Sequence, residues 1–487
     1  MPPVAVTTAS PTPSTIWRWS LLRISLGLIS LAMVADFVFR GLTVAFASGK
    51  NDFLEVYTGA WLWRHGQNFY DSALATSTSI QLAGSAMLEA IVYPPSAFAA
   101  FVPFTFLPWG WANFLCLLLS LIGIGVSILF LLRIGNFSLR QRSGLLLLAF
   151  VLAFDPIHQA FHLANIALLV VPLCLAAIDL AQRHRDLAAG VLISCATLLK
   201  PQIGLWILLF YLFQLRKWFI VGAALPALPF LVALLRYPVP LATLVFGYRQ
   251  NLQHHFGVGG HLGFTPGSLP FHVNIFQVVL YQLWPSVNGV SLLAHGLFLC
   301  GLVIWAFALW RGKFALPVPL AISSLIALSF ISLYHSVSDT AVLPLVLCWA
   351  FKKEDEQQWS WPRRLTCLIL LLMLLPGHSA LMRITPHLAA GIRTAWWWQL
   401  FIARYFVWLL FALNIVLLRG MWESAPTSSQ AQPFFGRPSA SAGGERGEAE
   451  RGIKRRARTG RRLPQKLRFV SGHAFRRAAC RPNLLRL

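Results

Sequence analysis

Side chains that could do chemistry are scarce in this chain. Of its 487 residues, 16 are Asp or Glu and 13 are His. An ionisable group at membrane depth costs a few kcal/mol on insertion scales, so polar residues within or beside long apolar runs are candidates for function. These candidates are Asp52, Glu55, Asp71, Asp155, His158, His162, Asn165, Lys200, Arg249, His254, His255, His261, His335, Asp339, His378 and Arg383.

Asp52 is the carboxylate best placed to act as a general base. It comes just beyond the first apolar run, at the level where lipid headgroups would lie. The stretch 51–66 has apolar residues at helical spacing and ends at Gly66. This pattern predicts an amphipathic helix lying flat at the outer interface, with Asp52 in its first turn. The alternative role of Asp52 is to cap this helix, which does not exclude catalysis.

Lys200 is the strongest candidate for binding a phosphate. It ends an apolar run and precedes Pro201, which should divide this part of the chain into two half-helices. The alternatives are a lysine that extends to the outer interface and a lysine that pairs with Asp155. Arg249 could bind the same phosphate or an anionic lipid headgroup.

Two pairs of residues that contain histidine, His335 with Asp339 and His158 with His162, could add further chemistry. His335 and Asp339 are four residues apart, so the Asp could orient a phosphate-binding His, or the two could form a hydrogen-bonded helix end. His158 and His162 have the same spacing, but no third ligand is predictable, so we expect neither a metal nor another cofactor. The glycine-rich stretch 254–261 indicates either a lid or a solvated loop.

Transmembrane helices are the elements that must position these residues. The chain is 57% hydrophobic and 11% charged, with a mean hydropathy of +0.65, which excludes a soluble globular protein. The apolar runs predict an all-α polytopic membrane protein with about 10–12 transmembrane helices. The candidate spans are 21–46, 109–132, 143–155, 166–181, 187–199, 202–215, 218–235, 288–310, 314–334, 340–351, 365–376 and 398–418.

Lysine and arginine concentrate in one set of connections, which predicts the orientation. By the positive-inside tendency, the N-terminus, the chain beyond Arg419 and several loops face the cytoplasm; the loops are 133–142, 183–186, 216–217, 311–313 and 352–364. The other connections then face outward, and they contain almost all of the candidate polar residues. We therefore predict a polar cavity that opens on the outer face. We also predict that the first apolar run is not a cleaved signal peptide and is retained as a span.

Several short motifs resemble glycosyltransferase family 87, also called the DUF2029 family. The family's N-terminal signature is similar to Asp52-Phe53, to 64–71 (RHGQNFYD) and to Tyr93-Pro94-Pro95. Weaker similarity continues through 162–165 (HLAN), 188–190 (AAG), Lys200-Pro201 and 334–339. Family members often have Gly-Gln where this chain has His162 and Leu163. The resemblance covers roughly 17–418.

The resemblance implies a GT-C type membrane glycosyltransferase, similar to mycobacterial polyprenol-phosphate-mannose-dependent α-mannosyltransferases. Such an enzyme would move a hexose from a polyprenyl-phosphate-sugar donor to a lipid or glycan acceptor, and mannose is the favoured candidate for the hexose. It would lie in a bacterial inner membrane with its active site facing the periplasm or exterior. Asp52 would be the general base of an inverting single displacement. The residue types and the resemblance together predict Lys200, His335, Asp339, Asn165, Tyr93 and Arg249 as substrate-binding residues.

Two other classes of membrane protein remain open. A secondary transporter would also have about twelve spans and proline-broken helices. It should, however, place ionisable groups along both half-channels, and the two halves of this chain show no convincing similarity. A transferase of phosphoethanolamine or acyl groups usually needs a metal cluster, or a nucleophile with its base, and the sequence shows neither.

The ends of the chain differ from its middle. We predict a disordered cytoplasmic leader (1–16), a transmembrane glycosyltransferase domain (17–420) and a disordered basic tail (421–487). Beyond Glu423 the tail holds about 15 of the 40 Lys and Arg and about 3 of the 16 acidic residues, roughly half of the net charge of +24. A polybasic segment beside a last span favours anionic membrane lipids, rather than nucleic acid, as its partner. A non-native extension of the reading frame is the other interpretation.

Overall fold

The computed structural model describes a helical protein. The described residues are 13–45, 51–87, 90–256, 275–312, 316–352, 360–374, 381 and 383–424, all within one compact unit, Met1–Ala431. No β-strand occurs in these ranges, so the predicted all-α fold class is confirmed. His261, His378 and nearly all of the predicted basic tail lie outside the described residues.

Helices account for most of the described residues. In chain order the α-helices are α1 (Pro13–Ala45), α2 (Asp52–Arg64), α3 (Ser72–Ala83), α4 (Pro95–Phe101), α5 (Trp109–Gly135), α6 (Arg142–Ala153), α7 (Asp155–His162), α8 (Ala167–Gln182), α9 (Asp186–Leu199), α10 (Pro201–Phe213), α11 (Lys217–Leu235), α12 (Leu241–Phe256), α13 (Gln277–Leu283), α14 (Val287–Arg311), α15 (Val318–Ser332), α16 (Leu347–Ala350), α17 (Trp361–Leu374), α18 (Ala390–Thr394) and α19 (Tyr405–Ser424). Short 3₁₀ helices span Val102–Phe106, Val337–Val346 and Thr385–His387, and a π-helix spans Trp398–Ile402.

Helices form where the sequence is continuously apolar. Within the described ranges, α5, α11, α14 and α19 are long and apolar enough to cross a bilayer, and α6 with α7, bent by 43°, could form a fifth crossing. Other predicted spans coincide with apolar helices of 10–17 residues, among them α8, α9, α10 and α15. The chain is therefore an integral membrane protein, and the count of 10–12 spans stays a prediction.

The chain breaks its helical path at Lys200, as the sequence predicts. Helix α9 ends at Leu199 and α10 begins at Pro201, while Lys200 itself has φ −150° and ψ 88°. Proline lacks an N–H group and has its φ fixed near the helical value, so it fits the first position of a helix. The break places the Lys200 side chain between two helix ends.

Helices α9 and α11 are in backbone contact through two glycines. A Cβ atom at Gly190 of α9 would overlap the carbonyl oxygen of Phe219, and one at Gly222 of α11 would overlap that of Leu187. Small residues allow membrane helices to approach this closely. The two glycines therefore fix the position of α9, the helix that ends beside Lys200.

The predicted helix after the first span is present as α2, but it does not have one apolar and one exposed face. Its buried residues, Phe53, Leu54, Val56, Tyr57, Thr58, Gly59, Ala60 and Leu62, surround most of its circumference. The aromatic residues Phe98, Phe101 and Trp109 of α4 and α5 cover what would have been an exposed side. In its first two turns only Asp52 and Glu55 remain partly exposed.

Candidate active site

Asp52 is the first residue of α2, and its neighbours fix its backbone and its carboxylate. The preceding residue, Asn51, caps the helix by accepting a hydrogen bond from the Leu54 N–H at 3.1 Å, so Asp52 is not the capping residue. The Asp52 N–H donates to the Leu163 carbonyl oxygen at 2.9 Å. Its Oδ2 accepts a hydrogen bond from Asn165 Nδ2 at 2.5 Å, while the side chain remains partly exposed.

Asn165 connects Asp52 to Lys200. It lies buried in the turn between α7 and α8. Its Oδ1 accepts hydrogen bonds from Lys200 Nζ at 2.8 Å and from the Ala167 N–H at 2.9 Å, which leaves Nδ2 as the donor to Asp52. The orientation of the amide is therefore set by donors on one side and a carboxylate on the other.

Lys200 forms an ion pair with Asp339, not with Asp155 as one alternative supposed. The Nζ to Oδ1 distance is 2.6 Å, and the two side chains are 5% and 1% exposed. A lysine this deeply buried does not extend to the interface, so the other alternative is also wrong. Buried charges are found in pairs because an isolated ion is costly to remove from water.

His335 and Asp339 lie at the start of the 3₁₀ helix Val337–Val346, where a hydrogen-bonded helix end was one of the two roles predicted for them. Asp339 Oδ2 accepts from the Ser336 N–H at 2.9 Å and completes a capping box at the start of the 3₁₀ helix Val337–Val346. The same oxygen lies 3.5 Å from His335 Nδ1, and His335 Nε2 lies 2.8 Å from Ser329 Oγ. Asp339 thus caps the start of this 3₁₀ helix and lies within ion-pair distance of the histidine.

Two further groups face this network. The backbone carbonyl of Tyr93 accepts a hydrogen bond from the Tyr70 hydroxyl at 2.8 Å. Burial, and then the nearby carboxylates of Asp52, Glu55 and Asp339, raise the pKa of the Tyr93 phenol well above its ordinary value, so it stays protonated at neutral pH. Glu55, one of the polar candidates to which the sequence assigned no role, lies one turn after Asp52 on the same side of α2. Its spacing of three residues from Asp52 was the available signal.

The other candidates lie apart from this network. Arg249 is exposed on α12, and no hydrogen bond or ion pair found in the described residues links it to Lys200. His158 Nδ1 lies 3.6 Å from Asp36, and its ring stacks on Phe37 of α1, whereas His162 is exposed. The parts of the chain that the structure describes contain no group of three His, Cys, Asp or Glu that could hold a metal.

The predicted loop 254–261 begins inside a helix. His254 and His255 belong to the end of α12, and His255 Nε2 lies 2.5 Å from the Ala90 carbonyl oxygen. This part of the loop prediction is wrong, because α12 continues to Phe256 and packs on the segment before Tyr93. Residues 257–261 lie outside the described ranges.

A polar cavity of about 700 Å³ lies between α3 and α12. Its polar lining includes Asn68, Asp71, Gln250, Asn251 and His254, with Tyr70 and Phe246 as aromatic members. Asp71 uses Oδ1 to cap α3. Because Tyr70 also donates to the Tyr93 carbonyl, the cavity adjoins the segment that faces Asp52. Such a mixture of amide, carboxylate and aromatic groups suits a ligand rich in hydroxyl groups.

Comparison with known proteins identifies the family. The glycosyltransferase family 87 profile matches residues 91–338, about half of the chain; Asp52 precedes this range. The crystal structure of ArnT from Cupriavidus metallidurans in the apo state is similar with a TM-score of 0.31 and 16% identity, covering 81% of this chain and 75% of that chain. No curated protein matches the sequence. The chain is a membrane glycosyltransferase and belongs to glycosyltransferase family 87.

Proposed function

We propose that this protein moves a hexose, with mannose as the favoured candidate, from a polyprenyl-phosphate-sugar donor to an extracytoplasmic lipid or glycan acceptor. We also propose that it has a GT-C architecture and that the reaction is an inverting single displacement with Asp52 as general base. One observation carries it: Asp52 is partly exposed, while the buried side chains of Asn165, Lys200 and Asp339 hold its carboxylate in place. The family supports glycosyl transfer as the reaction class.

Asp52 would act on the acceptor hydroxyl. As the acceptor oxygen bonds to the anomeric carbon, the bond from that carbon to the donor phosphate breaks, and the hydroxyl proton passes to the Asp52 carboxylate. Asn165 Nδ2 binds one carboxylate oxygen at 2.5 Å and so fixes the plane of the base. A base held in this way needs little reorganisation when the acceptor arrives.

The residues predicted to bind the phosphate fall into two groups. Lys200 Nζ has three N–H donors, and Asn165 Oδ1 and Asp339 Oδ1 take two of them, so its first role is to hold the network. A contact with the phosphate would use the third donor. Arg249 is exposed and remains the proposed cation for the donor phosphate or for an anionic headgroup.

The polar cavity between α3 and α12 is the proposed site of the acceptor sugar. Its volume of about 700 Å³ is in the range of small-molecule sites. Hydroxyl groups both donate and accept hydrogen bonds, which matches the carboxylate of Asp71 and the amides of Gln250 and Asn68. The acceptor would approach Asp52 past Tyr93.

A transfer assay tests the proposal. Purified protein would be reconstituted with radiolabelled polyprenyl-phosphate-mannose and candidate lipid acceptors, and wild type compared with Asp52→Asn. We expect the variant to lose about 100- to 10,000-fold in transfer rate, the usual contribution of a general base. Glu423→Gln, which removes a carboxylate near the end of α19, is the control and should keep the wild-type rate.

Two outcomes would contradict this proposal. If the Asp52→Asn variant kept its transfer activity, Asp52 would be excluded as the general base. Absence of transfer to any acceptor, combined with substrate uptake into sealed vesicles, would favour the secondary transporter instead.

A further inference from the structure

A second cavity, of about 780 Å³, is lined by basic side chains. It lies where α5 ends and α6 begins, beside the residue that follows α16. Four of its lining residues are cationic: Arg23, Arg140, Arg142 and Lys352. No acidic side chain is among the lining residues that the structure describes. One wall is apolar and is formed by Phe137, Leu146 and Phe351.

This cavity lies at the far end of α5 from the candidate active site. The first residue of α5, Trp109, packs against Phe53 of α2 with ring centroids 6.0 Å apart, next to Asp52. Helix α5 has 27 residues, which corresponds to a length of about 40 Å. That length exceeds a hydrocarbon core of about 30 Å, so the cavity and Asp52 belong to opposite membrane surfaces.

Two of the four basic residues of the cavity, Arg140 and Lys352, differ from other basic residues at the same surface, which form ion pairs. Arg183 pairs with Asp179 at 3.1 Å, and Arg216 pairs with Asp186 at 2.6 Å. Arg140 makes no ion pair within the described part of the chain, and the same holds there for Lys352. Positive charge in a concave site concentrates the electrostatic potential and attracts anions.

The backbone around the cavity is held in place and adds to its positive potential. The Arg140 carbonyl accepts a hydrogen bond from Arg23 Nη2 at 3.2 Å, which ties the turn to α1. The Gln141 side chain accepts from the Ser138 N–H at 3.1 Å and makes no capping bond to α6. Helix α6 begins at the cavity with Arg142, so the positive end of its helix dipole lies there.

We propose that this cavity binds the headgroup of an anionic phospholipid at the surface opposite the active site. The basic side chains and the start of α6 would bind the phosphate, while Phe137, Leu146 and Phe351 would contact the glycerol and the first acyl carbons. Basic sites between membrane helices recognise acidic lipids in this way. Inorganic phosphate shares the charge but has nothing to place against the apolar wall.

Lipid binding to the detergent-purified full chain can be measured by native mass spectrometry. The titrants are phosphatidylglycerol, phosphatidylcholine and inorganic phosphate. We compare wild type with the double variant Arg140→Gln and Lys352→Gln, since both side chains are exposed. Each basic residue near an anionic lipid corresponds to about a fivefold factor in affinity, so the double variant should bind phosphatidylglycerol about 25-fold more weakly.

The matched control is Arg183→Gln, which removes a positive charge at the same surface but outside the cavity. It should bind phosphatidylglycerol as wild type does, and the charge-preserving pair Arg140→Lys and Lys352→Arg should bind it within about threefold. Equal binding of phosphatidylglycerol by the double variant and by the control would overturn the proposal. Equal affinity of wild type for the two lipids, or displacement of phosphatidylglycerol by millimolar phosphate, would overturn it as well.

Discussion

At the scale of single residues, the candidate site is a line of side chains from Asp339 through Lys200 and Asn165 to Asp52. The ion pair at one end is almost completely buried, whereas the carboxylate at the other end is partly exposed. The buried pair fixes the Asn165 oxygen, and the amide nitrogen then fixes Asp52. In this arrangement the residues that would position the proposed base are distinct from Asp52 itself.

Replacing Lys200 tests the ion pair. Lys200→Met should lower the free energy of unfolding by about 3–5 kcal/mol, because it leaves the Asp339 carboxylate buried without its cation. Adding Asp339→Asn removes that charge and keeps an oxygen that can accept from the Ser336 N–H, so the double variant should recover much of the loss. Thermal unfolding in detergent measures both; a double variant less stable than Lys200→Met would contradict the assigned pairing.

The residues of the candidate site could be predicted from the sequence better than their contacts with one another could. Asp52, Asn165, Lys200, His335 and Asp339 were identified because polar residues are rare beside apolar runs. The pairing of Lys200 with Asp339 depends on which helix ends meet, and hydropathy carries no information about that. Asp155 is nearer to Lys200 along the chain than Asp339 is, so sequence separation favoured the wrong partner.

At the scale of the helices, the apolar runs predicted the elements closely because a helix in lipid must satisfy its own backbone. The run 109–132 corresponds to α5, Trp109–Gly135, and the run 218–235 to α11, Lys217–Leu235. Helix α2 was predicted with the wrong surroundings. Its periodicity did not reveal that Phe98 and Trp109 would cover it from later in the chain.

Helix packing at Gly222 can be tested with alanine. A methyl group there would overlap the Leu187 carbonyl oxygen, so Gly222→Ala should separate α9 from α11 and cost about 1–3 kcal/mol of stability. Gly125→Ala is the control, because no atom lies within 4 Å of the added carbon on that exposed side of α5. Alanine favours a helix over glycine, so the control should be neutral or stabilised. Equal melting temperatures for the two variants would rule out the close contact.

At the scale of the whole molecule, the two ends of α5 carry opposite chemistry. Around α2 lie Asp52 and Glu55, whereas the far end has the cavity lined by Arg140 and Lys352. From the positive-inside tendency we predict that the basic end lies in the cytoplasm, and that the acidic end then faces the compartment where lipid-linked sugars would be used. Orientation and proposed function therefore depend on the same charge distribution.

Cysteine labelling tests this orientation. In a Cys480→Ser background, Ser77→Cys on α3 and Leu139→Cys after α5 place thiols at exposed positions near the two ends. A membrane-impermeant maleimide added to spheroplasts should label the first variant, and the second only after permeabilisation. The unsubstituted background controls for Cys300, which is exposed on the apolar helix α14. Reversed labelling would contradict the predicted orientation and would mean that Asp52 lies on the cytoplasmic side. Labelling of both variants from outside would mean that α5 does not cross the membrane.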